Sequence, residues 1–278
     1  MSISVHTNKS ALSALQALNK TNDELAQTQG RVNTGLKIQD AKDNASVWAI
    51  AQGQRSDIGA LSAVRMSLER ATSIAQVTMT AGQTISDLLV ELKQKVVGAM
   101  DTSLDPQSRT ALDSDFKALL RQIGQVRTNA QFDGANLLDG SIPLNIQFLA
   151  NADATSRITL STQNLSFGGA ILTIASTASI NTVTNATLIL AQLSTSLGLV
   201  NQSLGNLGSQ AKQIDSHLSF ISKLTDVLET GVGNLVDADL ARESARLQAL
   251  QVQQQLGAQA LSIANSAPQI ILQLFRGG

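Results

Sequence analysis

The sequence has no cysteine and no tyrosine, and proline occurs only at 106, 143 and 268. Without cysteine, disulfides and thiolate metal sites are excluded, which suits a protein that works outside the cell without oxidative stapling. Aromatic residues make up 3 % of the 278 residues, too few for a thick interior built on large rings. A net charge of −1 draws the chain neither to nucleic acid nor to anionic lipid. No uninterrupted apolar run approaches the roughly 18 residues of a bilayer span. Met1-Ser2-Ile3-Ser4-Val5-His6 holds neither the basic stretch nor the apolar centre of a secretory leader, so any export is expected to use a route without a cleaved leader.

What the chain does contain is Ala, Leu, Ser, Gln, Asn and Thr, with 43 % hydrophobic residues overall, a composition of long, slender helices. Alternating steps of four and three pass through Leu193, Leu197, Val200, Leu204, Leu207, Ala211, Ile214, Leu218, Ile221, Thr225, Leu228, Val232 and Leu235. Twelve of these thirteen positions are apolar, where a random register would hold about five or six, so the run is a coiled-coil stripe. It predicts a rod roughly 60 Å long at 1.5 Å per residue. A matching stripe runs through Leu61, Val64, Leu68, Ala71, Ala75, Thr78, Gly82, Ile85, Leu89, Leu92, Val96 and Ala99, with small residues at its middle that permit close approach. Asp105 before Pro106 reads as an N-cap with proline at the first helical position, opening a shorter stripe of Leu112, Phe116, Leu119, Ile123, Val126 and Ala130. The two long helices are expected to be antiparallel.

Between the helices the period falls to two. Ile142, Leu144, Ile146 and Phe148 alternate with polar residues or proline, Ile158 and Leu160 alternate after the turn-prone Asn151–Ser156, and Ile171–Ala175 is a third β-prone run. One or two hairpins, lying against the helices, are predicted over about 141–178.

The ends read differently. An apolar stripe runs from Ala11 through Leu15, Leu18, Leu25 and Val32 to a stop near Gly35. Towards the C-terminus, Val236, Leu240, Leu247, Leu250 and Leu261 mark one face, and Ala245, Ala249, Val252, Leu256, Ala260, Ile263 and Ala267 mark another. A helix apolar on two faces needs neighbours on both. The N-terminal helix can cover one, and other copies of the chain are the simplest cover for the second. The greasy ending Ile270, Ile271, Leu272, Leu274 and Phe275 fits a contact between copies.

Ordered motifs at both ends carry a family resemblance. Thr34-Gly35-Leu36-Lys37-Ile38-Gln39-Asp40-Ala41-Lys42-Asp43-Asn44-Ala45 resembles the N-terminal signature of bacterial flagellins. Ser73-Ile74-Ala75-Gln76 and Gln131-Phe132-Asp133-Gly134 are similar to two further motifs of that half. Val236-Asp237-Ala238-Asp239, Ala264-Asn265, Pro268-Gln269 and Leu274-Phe275-Arg276 resemble the flagellin C-terminus, so the match covers about 1–140 and 185–278. The resemblance implies a structural subunit, not an enzyme and without cofactor or metal, that polymerises into the flagellar filament. It also implies an inner unit of residues 1–40 with 237–278 as paired terminal helices, and an outer unit of 41–236. The expected fold class is mainly α: a long antiparallel helical coiled-coil bundle, terminal pair plus a three- to four-helix rod, with a small β-hairpin region.

By the same resemblance, the partners are further copies of itself, hook-associated junction and cap proteins, the flagellar export apparatus and a secretion chaperone, with no nucleic acid and no membrane insertion. The location implied is the extracellular filament. The residues expected to carry assembly are Leu15, Leu18, Leu25, Val32, Leu240, Leu247, Leu250, Val252, Leu256, Leu261, Ile263, Ile271, Leu274 and Phe275. In many flagellins the helix matching Leu89–Ala99 carries an arginine recognised by a Toll-like receptor of animals. Here Glu91 stands at that position, Lys95 replaces a leucine, Leu89 is retained and Asp115 stands where glutamate is frequent, so weak receptor activation is expected. A hook–filament junction protein is the nearer alternative, and a coiled-coil component of another secretion or signalling system the more distant.

Groups able to do chemistry are few. His6 and His217 are the only histidines, and His217 adjoins stripe position Leu218, which favours a structural role. The pairs Asp40 with Asp43 and Asp237 with Asp239 sit near helix starts, where capping accounts for them. Lone Trp48 is read as an anchor of helix packing. Gly205 and Gly208 lack the Gly-Lys-Ser/Thr ending of a phosphate loop.

Overall fold

A computed structural model describes residues 8–142 and 145–276, with side chains as far as Ser266. His6, Pro143 and Leu144 lie outside the described residues, as do the side chains of Ile271, Leu274 and Phe275. Among the described residues the elements are α1 (Lys9–Thr34), α2 (Ala45–Ala99), α3 (Pro106–Asn129), β1 (Ile146–Leu149), β2 (Arg157–Leu160), α4 (Val183–Val236) and α5 (Leu240–Arg276). They divide into two compact units, one of residues 57–226 and one of residues 1–56 with 227–278. Stretches 41–56 and 227–236, expected in the outer unit, therefore cluster with the terminal helices. Hydrogen bonds explain part of this, because Lys37 and Ile38 both donate their amides to Val236 O, tying the end of α4 to the segment after α1.

The 57–226 unit is built on the stripes of α2, α3 and α4. All twelve predicted α2 positions from Leu61 to Ala99 are buried, and none of the thirteen on α4 is exposed. Ile85, Leu89, Leu92, Phe116, Ile123, Leu193 and Val200 belong to one apolar core. Gly82 marks a close approach: a Cβ there would stand 2.6 Å from Leu204 Cδ2. Asp105 caps α3 as expected, accepting from the Ser108 amide at 2.7 Å. One 18-residue window of α4 has a mean hydropathy of 1.4, long and apolar enough to cross a bilayer by composition. Leu193, Val200 and Leu207 of this helix are instead spent on the protein core.

β1 and β2 pair antiparallel, Ile146 opposite Leu160 and Phe148 opposite Ile158. Three side chains dock the hairpin region: Ser67 Oγ accepts from the Leu149 amide, Gln210 Oε1 from the Ser161 amide, and His217 Nε2 lies 2.6 Å from Ala150 O. The His217 ring also rests 5.8 Å from that of Phe220, consistent with a structural histidine. The third β-prone run forms no strand. Leu172 and Ile174 enter the core instead, and Leu172 makes only an isolated bridge with Phe167.

At the start of α4, Asp113 of α3 organises the incoming loop. Its side chain is 7 % exposed and accepts from Ser179 Oγ (2.7 Å), the Ile180 amide (2.6 Å) and Lys117 Nζ (2.6 Å). Burial pushes its pKa up, but these donors outweigh burial and hold the carboxyl below the ordinary carboxylate value.

Candidate assembly surface on the terminal helices

In the other unit α1 and α5 lie antiparallel. Asn8 Nδ2 donates to Ala264 O at 2.7 Å near one end of α1, and Arg31 Nη1 meets Glu243 Oε1 at 3.3 Å near the other. α1 begins with Asn8 accepting from the Ala11 amide and stops at Gly35, whose φ of +72° lets its amide reach Arg31 O. A short backbone clasp follows. Leu36 bridges Asp237, and Ala238 donates to Gly35 O at 2.8 Å.

The carboxylate pairs work locally. Asp239 caps α5 through the Arg242 amide, and Asp40 accepts from the Lys42 amide. Asp43 accepts from the Gln39 amide, which is the main reason its carboxyl is held below its ordinary value. The cap of α2 is Asn44, through the Val47 amide. Trp48 is half-buried in the first turn of α2.

The covered face of α1 runs through Ala11, Ala14, Leu18, Thr21, Leu25, Thr28 and Val32, and that of α5 through Glu243, Leu247, Leu250, Gln254, Gly257, Leu261 and Ala264. Both follow alternating steps of three and four, the spacing of a coiled-coil seam. Leu18 seats against Gly257, where a Cβ would stand 3.2 Å from Leu18 Cδ1. Gln254 Nε2 donates to Asn22 Oδ1 at 2.8 Å, and Arg246 with Glu24 makes a longer contact of 3.6 Å.

Of the residues expected to carry assembly, Leu18, Leu25, Val32, Leu247, Leu250 and Leu261 thus face the partner helix of the same chain. Leu15 and Leu240, placed on those faces by the sequence reading, are exposed at 42 % and 50 %. Leu15 falls one residue off the seam position Ala14, and Leu240 precedes the first covered residue of α5. The second face of α5 is open. Val252, Leu256 and Ile263 are 55 %, 59 % and 71 % exposed, and Ala245, Ala249 and Ala260 beside them are exposed too. Leu12 of α1, 53 % exposed, was not anticipated. No residue from Leu247 to Phe275, or from Ser10 to Asn19, is ionisable.

Sequence reasoning also missed the polar residues within the seam. Thr21 and Thr28 are buried, and Glu243 is 9 % exposed. Their heptad positions were legible, but a pattern search for apolar residues passes over them. The receptor-site equivalents fall in the 57–226 unit. Leu89 is fully buried in the core, Glu91 is exposed, and Lys95 Nζ pairs with Asp115 Oδ2 at 2.7 Å.

Comparison with known proteins bears on the same surface. The family model for the bacterial flagellin N-terminal helical region matches residues 5–142, and that for the C-terminal helical region matches 180–275. Flagellin FljJ of Caulobacter vibrioides is 54 % identical over 280 aligned positions, covering 100 % of both chains. A flagellin of Brucella melitensis is 40 % identical, covering 99 % of each. Among solved structures, a flagellar hook-associated protein from Vibrio parahaemolyticus shares the fold with a TM-score of 0.59 at 13 % identity, covering 70 % of this chain and 100 % of that one.

Proposed function

This chain belongs to the bacterial flagellins and is a structural subunit of the flagellar filament, an extracellular appendage; from that premise we propose that it polymerises through the surface its terminal helix pair leaves open. The observation that carries the reading is the ridge of Ala245, Ala249, Val252, Leu256, Ala260 and Ile263, an apolar face left in water by the single chain. Exposed apolar surface of this kind is stabilised by covering it, and further copies are always at hand during filament growth.

Before assembly the pair has little to hold it together, because its seam includes Thr21, Thr28, Gln254 and Gly257 where large apolar residues would be most stabilising. Ordering of the termini is therefore coupled to polymerisation. Successive subunits join through a heterologous contact that does not close on itself, which is what an open filament requires. The chain acts as a structural element without a catalytic step. Hook-associated junction and cap proteins meet it at the two ends of the filament, and an export apparatus with a dedicated chaperone delivers it.

Sheared filament seeds incubated with purified chain and viewed by electron microscopy test the reading. Long extensions are expected from the native chain. Val252→Glu with Leu256→Glu should abolish extension while leaving the 57–226 unit folded, and a chain ending at Asn265 should remain a soluble, helical monomer. Extension of normal length from either variant refutes the assigned surface, and seeds that stay short with native chain favour a junction role.

A further inference from the structure

α5 offers α1 two apolar faces and α1 takes the less apolar one. The seam face carries Glu243, Gln254 and Gly257 among its leucines, whereas the ridge face carries Val252, Leu256 and Ile263 with alanines and no polar side chain. Five of the six ridge positions lie two residues beyond a seam position, about 200° round the helix, so the two faces are on opposite sides. Hydrophobic burial alone gives α1 no reason to prefer the seam, and desolvating a carboxylate and a carboxamide argues against it.

Resting on the assembly reading above, we propose that the contacts Arg31–Glu243 and Asn22–Gln254, with Leu18 seated on Gly257, select which face of α5 is taken by α1 and so reserve the ridge for the next copy. Arg31 and Glu243 are 19 % and 12 % exposed at the side chain and meet through a single 3.3 Å contact. Arg31 Nε and Glu243 Oε2 are both left buried without a hydrogen-bond partner. A half-satisfied pair of this kind contributes little net stability, but removing either member strands the other. If α5 turned its ridge to α1, the carboxylate and the carboxamide would move to the far side. Arg31 and Asn22 would then face alanine, valine and leucine. Two of the three pairings have one solution only: Gly257 is the single glycine of α5, and Glu243 its single acidic residue. These six are positioning residues; none need touch the neighbouring copy.

The absence of cysteine makes the test direct. In the full-length chain, Leu25→Cys paired with Leu250→Cys reports the seam face, and Leu25→Cys paired with Val252→Cys reports the ridge face. Disulfide yield is measured after mild oxidation, with seed extension scored in parallel on the cysteine-free parent of each background. The native background is expected to form the 25–250 product. Replacing Asn22, Arg31, Glu243 and Gln254 together by alanine, which removes the polar pairs without making the seam the more apolar face, should raise the 25–252 product about tenfold, the loss expected from removing two polar pairs, and should reduce extension. Arg31→Glu alone should shift yield towards 25–252, and adding Glu243→Arg should restore 25–250. Unchanged 25–250 dominance in the four-alanine chain, or failure of the reversed pair to restore it, overturns face selection. Native chain that cross-links as expected but does not extend seeds would sink the assembly reading and leave face selection standing.

Discussion

Single residues decide how the loop into α4 is held. Asp113 meets the Ile180 amide and the Ser179 hydroxyl together, so Asp113→Ala should cost about 2–3 kcal/mol, as expected for charge-assisted bonds to a buried acceptor. Chemical denaturation followed by circular dichroism measures this. Its pH dependence has a definite sign. Because the folded carboxyl is held below its ordinary value, its contribution is complete above the unfolded pKa and is lost as pH falls through the folded one. Asp113→Asn should therefore flatten the acid limb of the stability profile. A limb as steep as that of the native chain would show that other carboxylates dominate it. The local cap at Asp105 was legible because its partner Ser108 is three residues away. Asp113 was not, because Ile180 is 67 residues away and nothing in the sequence near either residue announces the meeting.

At the scale of elements, the heptads located the seams of α2 and α4 with few errors, since twelve or more periodic positions average out local noise. Short segments fared differently. Ile171–Ala175 has the composition of a strand, but Leu172 and Ile174 are more stabilising in the helical core than on a third strand. Tertiary burial overrode local propensity there. Glycines on the long helices separate by environment, which propensity alone cannot show. A Cβ at Gly198 or Gly205 meets nothing within 4 Å, whereas one at Gly82 collides with Leu204. Gly198→Ala and Gly205→Ala should each stabilise the monomer by about 1 kcal/mol. Gly82→Ala should be less stable than either by about 1–3 kcal/mol, because Leu204 must move. Thermal melts of the three chains check the order. If the stabilised chains no longer extend seeds, those glycines serve an approach by another copy.

For the molecule as a whole, the family and the terminal helix pair were legible in the end motifs and in the two apolar faces of α5. The boundary between units was not. Motifs mark where helices start and stop, while the units are set by which turns bury one another, and those include residues 41–56 and 227–236. The open face of α5 was only partly legible: spacing told that the helix had two faces but not that Leu15 and Leu240 would be exposed. The degenerate receptor positions lead to a whole-molecule prediction as well. Leu89 is buried and Lys95 is engaged by Asp115, so reporter cells carrying the receptor should respond weakly to the chain. A response equal to that of a strongly stimulatory flagellin would refute this.

The stretch from Leu247 to Phe275 has no charge to screen. Electrostatic contacts between exposed groups fade beyond a Debye length of about 8 Å at physiological ionic strength and change with every dilution of the medium. Apolar and carboxamide contacts do not. Growth through this part of α5 should proceed alike in dilute buffer and in sea-water salt. Any salt dependence of the critical concentration should trace to charged residues elsewhere in the chain, and measuring that concentration across a salt series, with Val252→Lys as the charged comparison, tests the point. A swimmer built on such a contact could pass between fresh and brackish water without loosening its propeller.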